Sequence, residues 1–567
     1  MSVTVYDSEL RDDLVVTGRP QTAPDPSGVV GEAINAIRFL SVDAVEKAQS
    51  GHPGTPMALA PLAYRLYTQY LRHDPADPAW IDRDRFILSA GHACMLQYAS
   101  LHLSGYDLTI DDLSQFRQWG SRTPGHPERG VTAGVEINTG PLGQGFANGV
   151  GMAMAERMLA ARFNRPDHTV IDHRTWVIAG DGDMMEGISS EAASIAGRLG
   201  LGLGKLTVFY DDNHISLEGA AEVEFTENVA ERFRAYGWHV TRVESVNDLD
   251  ALDAAVSEAG GDERPSLVIV RSNIGYGSPV QDSAKAHGSP LGAANVTATR
   301  EKLGWSYAPF SIPEEVYAHW HGLVAGRAAT HAEWNTRYDT YRTAEPARAA
   351  ELVRTMAGRL PADWADTPTP TFDLGTRVAT RKSGGSVLNA FAAVVPELVG
   401  GSADVAPSTD TQLLGSGDLN SGDWAGRNIH FGVREHAMGA ICNGLAAHGG
   451  FRPYCATFFS FYDYMREDVR LAAIMSLPVV FVFTHDSIAL GEDGPTHQPI
   501  EHLAGMRAIP VLRTMRPADA NESAQAWREA IDHDGPTCLV SVRRPRARWC
   551  TGSSASPPRT WPTTCAG

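Results

Sequence analysis

The stretch VIAGDGDMMEG, residues 177–187, sets Asp181 and Asp183 among glycines just where an apolar run from Thr175 to Ala179 ends. That run has the length and composition of a buried strand. A carboxylate at the carboxyl end of a parallel strand is well placed to hold a hard cation. The flanking glycines carry no side chain, so a phosphate is able to come close to the backbone. Taken alone, the same residues read equally well as an acidic turn.

The sequence on either side separates the two readings. From about residue 170 to 275, short β-rich runs alternate with helical patterns: TWVIAG, a helix from Gly187 toward Leu199, LTVFY, a helix near Glu227 to Tyr236, and SLVIV. Strands separated by single helices make parallel βαβ units with helices on both faces. The strand LTVFY runs into DDNHIS, which puts Asn213 at a second strand end, one crossover helix beyond Asp181. In this reading Asp181, the Asn213 amide oxygen and a backbone carbonyl near Ile215 converge as oxygen ligands for Mg²⁺, whose remaining positions fall to phosphate oxygens and water. The acids then hold a cation that clamps a diphosphate.

A run rich in Pro, Asp and Thr, PADWADTPTPTFD at 361–373, reads as a linker. Beyond it the alternation restarts with NIHFG, a helix from Arg434 to about Ala447, PVVFVFTHD, a helix near Ala518 to Ile531, and CLVSV. Two α/β domains follow, each with a site expected where its strands end.

Composition excludes other classes. The 567 residues carry 43% apolar and 20% charged side chains, enough for large buried cores. A net charge of −19 argues against a general nucleic-acid binder, which needs a basic face. The six cysteines show no close pair and no metal-finger spacing, the pattern of reduced thiols in a cytoplasm. No apolar run approaches the ~20 residues that cross a bilayer, so no membrane partner is expected. Residues 1–27 lack the basic end and apolar core of a secretory signal and read as a mobile arm.

With these residues in view, GDGDMMEGISSEA and DDNHIS resemble the thiamine-diphosphate motif, and the chain from about 31 to 544 resembles the transketolase family. Supporting segments come in family order: SGHPGTPM (50–57), LSAGH (88–92), TPGHPE (123–128), TGPLGQG (139–145), ATRK (379–382), GGSADVAPS (400–408), FGVREHAMGA (431–440) and HDSIALGEDGPTHQP (485–499). The resemblance implies an α/β fold of two successive thiamine-diphosphate-binding-type domains with mostly parallel sheets. The expected organisation is a diphosphate- and metal-binding domain over 28–345, a linker over 346–373, a pyrimidine-binding domain over 374–544 and an irregular tail over 545–567. It also implies a reversible two-carbon transfer from xylulose 5-phosphate to ribose 5-phosphate or erythrose 4-phosphate in the pentose phosphate pathway, with a place in the Calvin cycle open. The neighbouring alternatives are dihydroxyacetone synthase, 1-deoxyxylulose-5-phosphate synthase and an inactive homologue that only binds.

The same resemblance assigns residues. Thiamine diphosphate falls to His92, Gly140, Leu142, Gly180, Asp181, Gly182, Glu186, Asn213 and Ile215, with Phe458, Phe461 and Tyr464 as an aromatic wall around its ring. Asp181, Asn213 and Ile215 hold Mg²⁺, with Ca²⁺, Mn²⁺ or Co²⁺ as substitutes. Glu435 meets the aminopyrimidine nitrogen, where a buried carboxyl kept protonated donates a hydrogen bond. His52, His126, His287 and His497 lie in Gly- or Pro-rich segments and suit proton transfer near neutrality. Arg381, Ser408, His485 and Arg543 match phosphate-contacting positions, with Arg544 as a possible partner of Arg543, and Asp493 matches an acid that reads a sugar hydroxyl. The expected assembly is a homodimer with its sites between subunits. The tail from Pro545, with four prolines, two tryptophans, two cysteines and no acid, replaces the third domain expected from the resemblance, so a truncated chain with a weakened dimer is expected.

Overall fold

The computed structural model describes residues 25–543. Nearly all of the N-terminal arm, the whole tail and Arg544 lie outside the described residues. The chain divides into two compact units. The first runs to Ala357 and takes in Asn420–Ala425 and Ala447–Gly450; the second begins at Gly358.

In the first unit the strands are β1 (Arg85–Leu88), β2 (Thr175–Gly180), β3 (Leu206–Asp212), β4 (His239–Val243) and β5 (Ser266–Arg271), ordered β1-β2-β3-β5-β4 with every pair parallel. Every residue of β3 is buried, and so is all of β2 except Gly180. A parallel sheet is covered on both faces, which is why these strands read as apolar runs without alternation. Helices Gly28–Ala48 and Gly54–Arg65 contribute Ile34, Ile37, Leu40, Leu59 and Leu62 to the same core. Burying each such side chain stabilises the fold by roughly 1.5–3 kcal/mol. Some helix starts carry side-chain caps: Asp248 accepts from Ala251 N–H ahead of Leu249–Gly261, and Asn228 from Glu231 N–H ahead of Val229–Ala235.

In the second unit β6 (Leu398–Ser402), β7 (Asn428–His430), β8 (Arg452–Phe458), β9 (Val480–Thr484), β10 (Arg513–Met515) and β11 (Thr537–Ser541) form a parallel sheet ordered β10-β11-β9-β8-β6-β7. The chain leaves β6 for β7 on one side and returns to β8 on the other. The carboxyl ends of β6 and β8 therefore flank a switch in strand order, where parallel sheets open a crevice for ligands.

Several sequence expectations need adjustment. Residues 346–356, read as the start of a linker, form the helix Pro346–Met356 and belong to the first unit. Proline at its first turn and buried Ala349 and Leu352 on one face explain it: PARAAELVRTM is amphipathic at helical spacing. Strand β3 runs on to Asp212, so Asn213 is the first residue beyond it. The helix near Glu227 to Tyr236 spans Val229–Ala235, and the one expected from Arg434 opens at Glu435. Among the described residues no helix is long and apolar enough to cross a membrane.

Candidate active site

In the first unit, β2 and β3 pair with Gly180 opposite Asp211, so Asp181 and Asn213 emerge from adjacent strand ends. Both are buried. His214, next along, has a left-handed backbone (φ 60°), a conformation costly for a residue with a Cβ and one that gathers at functional sites. Tyr210 donates its hydroxyl to Asp181 Oδ1, while Oδ2 is buried with no hydrogen-bond partner. Burial pushes the Asp181 carboxyl up to about 7, and the charges of Asp211 and Asp212 add to that shift against the lowering effect of Tyr210. Asn213 donates from Nδ2 to Asp211 Oδ2 (2.8 Å), and its Oδ1 accepts from the Ile215 N–H (2.9 Å). An orphaned buried carboxylate oxygen beside an amide oxygen and surplus acid is the donor set that a hard divalent cation satisfies. These residues therefore fit a metal that carries a diphosphate.

Asp183 has a different fate from the one expected. Its Oδ1 accepts from Ser89 Oγ (2.6 Å) and from Gly143 N–H (2.7 Å), and its Oδ2 from Gly180 N–H (2.9 Å). Fully buried and saturated, it pins the end of β1 and the 139–145 loop to the end of β2. Only Asp181 keeps an oxygen for a cation.

The loops close in because glycines allow it. A Cβ on Gly182 would stand 2.7 Å from Leu142 Cδ1, and one on Gly54 would stand 2.3 Å from the Ala286 carbonyl oxygen. Gly140 lies against the His126 ring, and Glu186, exposed ahead of helix Gly187–Leu199, has its Cβ against Gly143. On this floor stand His52, His92 and His287, with ring centroids 5.1 Å (His52–His92), 5.9 Å (His52–His287) and 5.1 Å (His92–His287) apart. All three rings are held below the usual histidine value, chiefly by burial: His52 at about 4, His92 well below, His287 lowered. His126 is lowered by burial and by the Arg117 guanidinium. Arg117 donates to His52 Nδ1 (3.4 Å) and Ser50 Oγ (2.7 Å). The Nδ1 of His287 is buried without a partner. The first unit thus assembles four imidazoles whose proton affinity is lowered, so that in the neutral form each offers one hydrogen-bond donor and one acceptor nitrogen.

In the second unit the expected residues gather at the carboxyl ends of the strands. Glu435 opens the helix after β7; it is buried, its Oε1 accepts from Thr457 Oγ1 (3.3 Å), and burial raises its carboxyl above the ordinary range. After β8 the aromatics divide: Phe459 and Tyr462 enter the core, whereas Phe458 and Phe461 are half-buried and Tyr464 is 63% exposed. Phe458 stacks with Phe461 (centroids 5.9 Å), and Phe461 lies 6.0 Å from Tyr464 and 5.2 Å from His497. This open row is an apolar wall available to a ring.

His485 follows β9 with a left-handed backbone (φ 63°), buried, its ring 4.0 Å from that of Phe458. Burial, then the positive charges of Arg381 and Arg543, hold it at about 4 despite Asp493. Arg381 donates to the carbonyls of Ser408 and, at 3.2 Å, Arg543. Arg543 pairs with Glu492 (2.7 Å) and Asp493 (3.2 Å). His485 thus lies in the field of two guanidiniums, each of which also faces acid, Arg381 standing 3.7 Å from Asp410 Oδ2. Sequence reasoning missed Asp183 as a clamp and Tyr210 and Arg117 as positioning groups. Tyr210 sits inside an apolar strand run and Arg117 lies outside the quoted segments, so neither carried a sequence signal.

Two parallel sheets, the first with an acid–amide ledge at its strand ends and half-buried imidazoles beside it, fit an α/β enzyme that holds a diphosphate through a metal. Residues 29–361 match the family model for the transketolase thiamine diphosphate binding domain, and 376–546 that for the transketolase pyrimidine binding domain. The chain belongs to the transketolase family. It is 54% identical over 517 residues to the transketolase of Geobacillus stearothermophilus, covering 90% of this chain and 77% of that one. It is 52% identical over 528 residues to the chloroplastic transketolase of Zea mays, covering 92% and 78%. Among solved structures, Leishmania mexicana transketolase superposes with a TM-score of 0.88 at 44% identity, covering 92% of this chain and 78% of that one. Pichia stipitis transketolase in complex with sedoheptulose 7-phosphate gives 0.89 at 46% identity, with the same coverage. The chain is accordingly a thiamine-diphosphate-dependent transferase of two-carbon units.

Proposed function

We propose that the chain passes a glycolaldehyde unit from a ketose phosphate such as xylulose 5-phosphate to ribose 5-phosphate or erythrose 4-phosphate. The observation that carries this reading is the cluster of His52, His92 and His287, whose burial keeps them neutral at physiological pH. Sugar hydroxyls and carbonyls need both donors and acceptors, and a neutral imidazole presents one nitrogen of each kind. Relatives solved with sedoheptulose 7-phosphate, xylulose 5-phosphate and fructose 6-phosphate support the substrate class.

Thiamine diphosphate, when bound, supplies an electron sink for the two-carbon fragment. Asp181, Asn213 and the Ile215 carbonyl would hold Mg²⁺, or Ca²⁺, Mn²⁺ or Co²⁺, for its diphosphate. Gly140, Leu142, Gly180, Gly182, Glu186 and His92 shape the space around it, and Phe458, Phe461 and Tyr464 its aromatic wall. Glu435, whose carboxyl is raised by burial, would donate to a ring nitrogen in its protonated form. His52, His126, His287 and His497 hold or move substrate protons. Arg381, Ser408, His485 and Arg543 take the phosphate, and Asp493 a hydroxyl. Each unit carries only part of this set, which supports a homodimer whose sites use the first unit of one subunit and the second of its mate. Four free, buried cysteines support a reducing cytoplasm.

The decisive experiment is an assay with xylulose 5-phosphate and ribose 5-phosphate, with and without thiamine diphosphate and Mg²⁺. Formation of sedoheptulose 7-phosphate only in their presence is expected. Cofactor-independent product, or none with saturating cofactor, overturns the proposal.

A further inference from the structure

His502 is only 8% exposed, yet neither of its ring nitrogens makes a hydrogen bond. Its Nε2 lies 3.2 Å from Asp463 Oδ2 and its Nδ1 3.8 Å from Glu501 Oε2. The shorter contact has the length of a hydrogen bond without the alignment. A buried polar group left unsatisfied asks for a partner such as an ion or water. The ring is packed against Phe459, with centroids 5.6 Å apart. Asp463 and Glu501, by contrast, are 66% and 79% exposed and reachable from solvent. One ligand atom from each of the three residues lies within 4.8 Å of the others.

We propose that Asp463, Glu501 and His502 form a divalent-metal site of the Zn²⁺ class, separate from the oxygen ledge at Asp181. With metal–ligand bonds near 2.0–2.1 Å, ligands at the corners of a tetrahedron stand about 3.3 Å apart, which the Asp463–His502 contact already matches. Rotation of the exposed carboxylates closes the remaining distance. One imidazole and two carboxylates select a borderline cation over Mg²⁺, which demands near-octahedral oxygen coordination. Water takes the open position. Asp463 precedes Tyr464 on helix Tyr462–Ile474, and Glu501 and His502 follow the segment that carries His497. The ion would tie the aromatic wall to that segment.

The test uses the full chain loaded with thiamine diphosphate and Mg²⁺, dialysed against micromolar Zn²⁺, with bound zinc measured by elemental analysis. Wild type should retain one more zinc per chain than His502→Gln. The same difference should persist in an Asp181→Asn background, because Zn²⁺ also competes for the oxygen ledge. Asp463→Asn and Glu501→Gln alter exposed side chains that folding does not need, and each should weaken zinc binding at least about tenfold, since even outer-shell changes have effects of that size. If His502→Gln fails to fold, these two variants decide. Equal zinc affinity in wild type and both acid variants overturns the site.

Discussion

Asp181 and Asp183 are the same residue type two positions apart, and their surroundings give them separate tasks. Asp181→Asn should lower affinity for thiamine diphosphate with Mg²⁺ by about tenfold or more, because a hard cation loses its charged ligand. Asp183→Asn leaves an amide facing donors from Ser89 and Gly143 and should instead destabilise the fold by about 1–3 kcal/mol. Calorimetry and denaturation separate the two; reversed outcomes would exchange their roles. Arg381→Ala should lower kcat/KM for phosphorylated donors by about 1.5–3 kcal/mol, the worth of a charge-assisted hydrogen bond, and spare hydroxypyruvate. Equal losses would make Arg381 a clamp for the carbonyls of Ser408 and Arg543. His52 adds a pH signature. Its folded value of about 4 lies below the ordinary 6.5, so the unfolded chain takes up its proton first as pH falls. Its contribution is complete above 6.5 and is lost progressively toward 4. Asp211 and Glu156, raised to about 6 and about 7, pull the other way, so the readout is a difference. His52→Gln should lose less stability than wild type between pH 7.5 and 5, and a parallel loss would contradict the assigned shift.

At the scale of elements, the site depends on how closely loops pass the strand ends. Helix Gly54–Arg65 begins where a Cβ would meet the backbone oxygen of Ala286, at the turn that carries His287. Backbone cannot rotate away as a side chain does. Gly54→Ala should therefore force the 50–57 loop from the Ala284–His287 turn, destabilise the protein by about 1–3 kcal/mol and separate His52 from His287. Denaturant unfolding and the activity assay check both effects; an unchanged midpoint would show that the contact yields freely. The second sheet makes the same point through order: β6, paired with both β7 and β8, opens the crevice beside which Glu435 and Phe458 stand.

For the whole molecule, the division of site residues between two units makes the proposed assembly testable. At a cofactor concentration that leaves Asp181→Asn unloaded, this variant should disable the first unit's proposed contribution and Glu435→Gln the second's. If each site uses the first unit of one subunit and the second of its mate, mixing the two inactive variants creates dimers with one intact site. Random exchange should then restore about a quarter of wild-type activity, half the dimers being mixed with one of two sites whole. No recovery after verified exchange would assign each site to a single chain. The chain spans about three quarters of the length of its transketolase relatives.

The sequence by itself determined the alternation of strands and helices, the two α/β units and the positions of the acid–amide ledge. Each of these is a local signal: apolar runs ended by glycines, acids at strand ends and an amphipathic period. The candidate residues His52 and His287 were legible too, because histidines in Gly- and Pro-rich loops stand out from apolar helix faces, whereas His485 came from the family resemblance alone. Only the tertiary structure decided which acid was free. Asp181 and Asp183 are indistinguishable in GDGD, and saturation of Asp183 depends on Ser89 and Gly143, distant in sequence and brought near by the β1–β2 pairing. The same holds for Phe458, Phe461 and Tyr464, whose spacing suits a core until packing places Phe459 and Tyr462 there instead. It holds too for His502, whose isolation from hydrogen-bonding partners is a property of what surrounds the ring. Burial and hydrogen-bond satisfaction are set by neighbours remote along the chain, so no local pattern encodes them.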